Sequence, residues 1–123
     1  MAKYTLKKKE ILSSKKEIDT LFRQGQTLFK YPLKLIYKIK INEQDSLSPV
    51  LFSVTVPKRN IRKAVERNLV KRRIREAYRL NKHLLYNKIP EGKQLVMMFI
   101  YVGKKPEKYQ LIQNAMRYII EAI

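Results

Sequence analysis

The sequence predicts an α+β fold in which one small sheet is packed by helices. Residues from Pro32 to Ile41 alternate between apolar and basic, the period of a half-buried strand. Leu95 to Val102 is almost wholly apolar, as expected for a strand covered on both faces. The segments at about 62–81 and from Glu107 onward carry apolar residues at helical spacing instead. Along the chain the order is α-β-β-α-β-α.

A chain of 123 residues with 45% apolar composition can furnish one core, and no repeat, low-complexity tract or Gly/Ser-rich linker divides it. One domain over 1–123 is expected. The lack of cysteine excludes disulfides and Cys-based zinc sites. No run approaches the ~18 or more apolar residues of a membrane span, and the basic N-terminus has no stretch resembling a secretory signal. A soluble, cytoplasmic protein is the expectation.

The first 12 residues are basic and without periodicity, and are expected to run extended over the surface. Ser14-Lys15-Lys16-Glu17 has the S-x-x-E form of a capping box, in which Ser14 accepts from the Glu17 amide and Glu17 reaches back. Ile18, Leu21 and Phe22 follow at i, i+3 and i+4. Gly25 is placed to end this helix, over about 15–24, in the left-handed conformation glycine adopts without penalty. In the strand that follows, Leu33, Leu35, Tyr37, Ile39 and Ile41 would face the core, with Lys34, Ile36, Lys38 and Lys40 opposite. Asn42 to Pro49 is polar and turn-rich. Val50 to Val56 reads as a second strand closed by Pro57, which is tolerated at a strand margin. Pro90-Glu91-Gly92 makes a turn and Gly103 to Pro106 a loop. The last helix places Leu111, Ile112, Ala115, Met116, Ile119 and Ile120 on one side.

In the helix over about 62–81, Val65, Leu69, Val70, Ile74, Ala77 and Leu80 form a broad apolar arc. Arg67, Asn68, Lys71, Arg72, Arg75 and Arg79 gather opposite. Arg73 falls within the apolar arc, from whose edge it would snorkel to water. Lys58 to Lys82 holds eleven Lys/Arg against Glu66 and Glu76, a net +9 (11 − 2) in 25 residues and half of the chain's +18. Such density repels itself unless a polyanion is the neighbour. The clustering favours nucleic acid over a solvated basic face, an anionic membrane or an acidic protein.

Catalysis by the protein itself is not indicated. The only histidine, His83, has no evident orienting partner for general base work. Glu43 and Asp45 are the closest acid pair, too few for a two-metal nuclease site. Each of the three glycines, Gly25, Gly92 and Gly103, sits at an element boundary rather than in a phosphate-cradling loop. Arginine can hold phosphate through two parallel hydrogen bonds and lysine as a point charge. Asn68 would bond a sugar hydroxyl or base edge, or is a solvated polar residue. Lys34 and Lys38 would guide a single strand with Ile36 as an apolar patch for a base, or form a solvated face. Phe22 either packs in the core or stacks on an unpaired base.

The segment Lys58 to Tyr78, KRNIRKAVERNLVKRRIREAY, closely resembles the signature helix of the bacterial ribonuclease P protein subunit family. Matching positions are Ala64, Val65, Arg67, Asn68, Lys71, Arg72, Arg75 and Glu76. Phe22 to Gly25 matches a Phe-x-x-Gly element of the first helix. Leu69 departs from the usual third motif arginine, for which Arg73 is the candidate replacement, and Asn60-Ile61-Arg62 replaces the usual Val-Gly. The resemblance implies a ribosomal-protein-S5-domain-2-like fold with a left-handed β-α-β crossover, an exception to the usual hand. It implies an accessory subunit of an endonuclease whose catalyst is a large RNA, and which removes the 5′ leader from precursor tRNA. Lys58, Arg59, Arg67, Asn68, Lys71, Arg72 and Arg75 would meet the catalytic RNA. Ile18, Phe22, Lys34 and Ile36 would line a cleft for the leader. Mg2+ would be held mainly by RNA and none by the protein alone, with one protein per RNA and no membrane partner. The alternative is a ribosomal or RNA-chaperone-type binder without a leader cleft. A duplex DNA binder, with the helix in a major groove, is the second rival.

Overall fold

The computed structural model describes residues 15–42 and 48–123. Its elements are α1 (Lys15–Gln24), β1 (Gln26–Lys30), β2 (Leu33–Ile41), β3 (Val50–Thr55), α2 (Ala64–Asn81), α3 (His83–Tyr86), β4 (Lys93–Tyr101) and α4 (Tyr109–Ala122). All six expected elements are present, with β1 and the one-turn α3 in addition. β1 escapes a pattern reading because it is an edge strand with only Leu28 turned to the core, which leaves no alternation to see. The extended N-terminal stretch, the Ser14 half of the capping box, and Glu43 and Asp45 lie outside the described residues.

The sheet has the order β1-β2-β4-β3. β1 and β4 each pair antiparallel with β2, and β3 runs parallel to β4, so that α2 is the crossover of a β-α-β unit. Successive strand residues point to opposite faces, and both faces are covered. On one, Leu33, Leu35, Val50, Phe52, Leu95, Met97 and Phe99 meet α2 and α4 in the main core. On the other, Leu21 of α1 packs on Ile36, Val96 and Met98, with Ile18, Leu51 and Ile100 around them. β4 serves both clusters, which is why its sequence is apolar throughout. The main core stops short of the far end of β2. Ile39 and Ile41, expected to face the core, are exposed, Ile41 at 64%.

The buried arc of α2 is narrower than the sequence pattern and rotated from it. Val70, Ile74, Ala77, Tyr78 and Asn81 are buried, whereas Val65 is 80% exposed and Leu69 and Leu80 are half-buried. Tyr78 draws the arc round: its ring stacks on Phe52 of β3 with centroids 4.0 Å apart and planes within 7°. Val65, in the first turn, has no facing element among the described residues to cover it.

Two glycines do separate jobs. Gly92 has φ +81° in the turn closed by Lys93 N–H to Pro90 O (3.1 Å), as a type II turn requires of its third residue. Gly25 does not take the left-handed conformation expected of it. Its amide donates to Leu21 O at 2.8 Å, and what demands glycine is proximity. A Cβ here would lie 2.5 Å from Leu21 O and 2.6 Å from Ile36 Cγ2. The chain thus leaves α1 hard against β2 and enters β1 at once.

Candidate nucleic-acid interface

The turn between β3 and α2 is built by Asn60 and Ile61, whose amides both donate to Pro57 O. Ile61 is buried, and Asn60 Nδ2 donates to Tyr101 O (2.9 Å) while its Oδ1 accepts from Lys104 Nζ (2.7 Å). The Asn-Ile pair standing in place of Val-Gly is therefore a hydrogen-bonded anchor between the β3 exit and the end of β4. Lys58 and Arg59 are exposed on this turn.

From the turn, α2 carries Asn68, Lys71, Arg72 and Arg75 along one side, opposite the arc that packs. None of the four, nor Lys58 or Arg59, makes a hydrogen bond or ion pair among the described residues. Their donors are available to a ligand, and a packed sheet holds the helix that carries them. Arg67 differs: it is half-buried, and its Nη1 donates to Ile61 O (3.0 Å) and Arg62 O (2.6 Å). It closes the turn that starts α2, and Nη1 of its guanidinium is committed there. Arg73 also has a structural tie, from Nη1 to Glu107 O at 2.7 Å. Its place at the edge of the packed face predicts that it reaches water; the partner found is a carbonyl oxygen instead. Glu76 and Arg79 form a two-pronged pair, Nε to Oε1 at 2.6 Å and Nη2 to Oε2 at 2.8 Å. The bonds from Arg79 hold the Glu76 carboxyl below its ordinary range.

Between this flank of α2 and the start of α4 is a cavity of about 600 Å³. Leu69, Glu76 and Tyr109 line it together with the arginines at 72, 73, 75 and 79. Burial pushes the Tyr109 phenol upward, so it is neutral at physiological pH. Leu69 and Tyr109 were not singled out as binding residues in the sequence: the first reads as core and the second as the start of a helix.

The sheet face under α1 carries the residues assigned to a leader cleft, though not as one open wall. Ile36 is 7% exposed beneath Leu21, and Ile18 is half-buried in the same cluster. Phe22 is 53% exposed, which removes it from the core. Lys34 is half-buried, and the register puts Phe29 and Ile100 directly beside it on the same face. Phe29, 56% exposed on the edge strand, is the aromatic that sequence reasoning missed along with β1. Lys38 and Lys40 are tied to α1, through Gln24 Oε1 at 2.5 Å and through Glu17. The open part of this face is thus the end at Lys34 and Phe29.

Among the described residues no group of three His, Asp or Glu is placed to hold a metal ion, and no helix is long and apolar enough to cross a membrane. His83 is half-buried at the start of α3.

A four-stranded sheet with helices on both faces, presenting a side of one helix whose cations are unpaired among the described residues, defines a small basic α+β domain built to meet a polyanion. A family model described as Ribonuclease P matches residues 6–122. A ribonuclease P protein component from Porphyromonas gingivalis is 37% identical over 118 residues, covering 94% of this chain and 84% of that protein. One from Chlorobium phaeobacteroides is 32% identical, covering 97% and 88%. Among solved structures, the RNase P protein of Staphylococcus aureus superposes with a TM-score of 0.71 at 16% identity, over 92% of this chain and 94% of that one. The RNase P protein of Thermotoga maritima does so at 0.67 and 20%, over 93% and 97%. The chain belongs to the ribonuclease P protein family.

Proposed function

We propose that the protein serves as the RNA-binding subunit of a ribonuclease P, the ribonucleoprotein that processes the 5′ end of tRNA, and that the partner RNA carries the endonucleolytic chemistry. The observation that carries this reading is the side of α2 formed by Asn68, Lys71, Arg72 and Arg75, whose side chains have no partner among the described residues, on a chain of this family. That side would meet the catalytic RNA, with Lys58 and Arg59 extending it across the preceding turn. The open end of the opposite sheet face, at Lys34 and Phe29, would take the single-stranded leader of precursor tRNA, together with the exposed Phe22 of α1. There an ammonium would track the backbone and exposed rings would stack on bases. Ile18 and Ile36 support that surface from beneath.

A chain of +18 placed between two polyanions screens their repulsion. It should therefore tighten substrate binding and lower the concentration of Mg2+ that the RNA needs. The Mg2+ would be held mainly by RNA, with one protein per RNA, in the cytoplasm. The test is cleavage of precursor tRNA by the cognate catalytic RNA at low Mg2+, with and without the protein. Stimulated release of the 5′ leader is expected. Absence of stimulation with RNA binding intact would leave a ribosomal or chaperone-type RNA binder.

A further inference from the structure

We propose that the cavity between α2 and the start of α4 takes one unpaired nucleotide of the catalytic RNA, with its base inward against Tyr109 and Leu69 and its phosphate at Arg72 and Arg75. This deepens the subunit reading and rests on it. The cavity, about 600 Å³, lies within the ~300–1,000 Å³ span of small-ligand sites, room enough for a nucleotide and too small for a helix. Its chemistry is graded. Arg72 and Arg75 are exposed and have no partner among the described residues. Leu69, Tyr109 and Glu76, each less exposed than those arginines, add an apolar side chain, an aromatic ring and a carboxylate.

Leu69 and that carboxylate together favour a base inward. Arg79 offsets the Glu76 charge, and the lone pairs left on the carboxylate oxygens can accept from the N–H donors of a base. The Arg79 fork already bonds both Glu76 oxygens and holds the group ionised, so it accepts and does not donate. Leu69 matters for the same reason, since an apolar side chain among arginines offers a surface to a ring and nothing to a phosphate. Arg73 is held back by Glu107 O and does not fill the space.

The first test titrates the isotope-labelled full-length protein with adenosine 5′-monophosphate and with ribose 5-phosphate, followed by NMR. Adenosine 5′-monophosphate should shift the signals of Leu69 and Tyr109, and ribose 5-phosphate only those of Arg72 and Arg75. Equal shifts from both at Leu69 and Tyr109, or none from the nucleotide, would overturn the proposal. The second measures affinity for the catalytic RNA. Tyr109→Leu should weaken it on the order of tenfold with the salt dependence unchanged, because a stacked base releases no counterion. Tyr109→Phe should restore it. Unchanged affinity in a folded Tyr109→Leu protein overturns the pocket. Wild-type protein that does not bind the RNA overturns the subunit reading and the RNA occupant with it, a result distinct from the others.

Discussion

Arg73 Nη1 donates to the carbonyl oxygen of Glu107 at 2.7 Å and so ties the flank of α2 to the segment that leads into α4. Glu107 is a meeting point. Its amide donates to the Tyr101 hydroxyl (2.9 Å), which itself donates to Lys105 O (2.6 Å), and its carboxylate accepts from the Tyr31 hydroxyl (2.8 Å). The β1–β2 turn, the end of β4, α2 and α4 are thus joined through one residue of a loop. Arg73→Met keeps the aliphatic stem and removes the bond. It should cost about 1–2 kcal/mol in urea unfolding, the range for a partly exposed charge-assisted hydrogen bond, and leave the salt dependence of RNA binding unchanged. A lower salt slope with unchanged stability would return Arg73 to the RNA-binding set.

Arginines of α2 should separate by assay. Arg72→Ala and Arg75→Ala should each reduce the slope of log affinity against log salt by at most roughly 0.7–0.9, the value for one whole phosphate contact, with melting temperature unchanged. Arg67→Ala should lower the melting temperature, because it frees the carbonyls of Ile61 and Arg62 at the start of α2. Filter binding at several salt concentrations, beside thermal melts, checks both.

Phe22→Ala and Phe29→Ala should weaken precursor tRNA relative to mature tRNA, by about 5-fold or more if each ring stacks on one base. Both rings are more than half exposed, so unfolding midpoints should change little. Equal loss for precursor and mature tRNA would sink the leader assignment.

Gly25→Ala puts a methyl group into space already held by Leu21 O and Ile36 Cγ2. One of these is backbone and does not give way, so α1 must lift. A loss of about 1–3 kcal/mol is expected, as for overpacking elsewhere. Hydrogen exchange should show the loosening confined to α1 and β1.

The Tyr101 phenol, buried under the loop, is pushed up to about 12, mainly by desolvation. In the unfolded chain it ionises near its ordinary value of 10.0. Between these values the unfolded state has lost the proton that the native state keeps, so stability falls as pH rises. This contribution is fully present below about pH 10 and lost as pH climbs toward 12. Chemical denaturation of wild type and Tyr101→Phe across that window should show the steeper decline in wild type.

Much of this was legible in the chain because burial leaves a period. The alternation in β2, the apolar run of β4 and the stripe of α4 each mark an element that is present, although Leu111, counted in that stripe, is exposed. What escaped had no period to leave. β1 touches the core through one residue, and Phe29 went with it. On α2, leucine and valine marked an arc that the tertiary contacts do not follow, since a tyrosine stacked on Phe52 supplies the packing that Val65 does not. Arg67 looks like its neighbours in sequence, and only the carbonyls it reaches tell it apart, whereas Arg73 already stands out by falling within the apolar arc. The cationic side itself was plain, because charge that nothing neutralises is visible in one dimension.

On α2, the residues that pack and those that offer charge are separate sets: Val70, Ile74, Ala77 and Tyr78 against Asn68, Lys71, Arg72 and Arg75. Substitutions in the two sets should then largely add rather than couple. Affinity for RNA can then be raised or lowered one charge at a time while the melting temperature stays where the core sets it. The helix behaves as a fixed rail whose charges are interchangeable fittings.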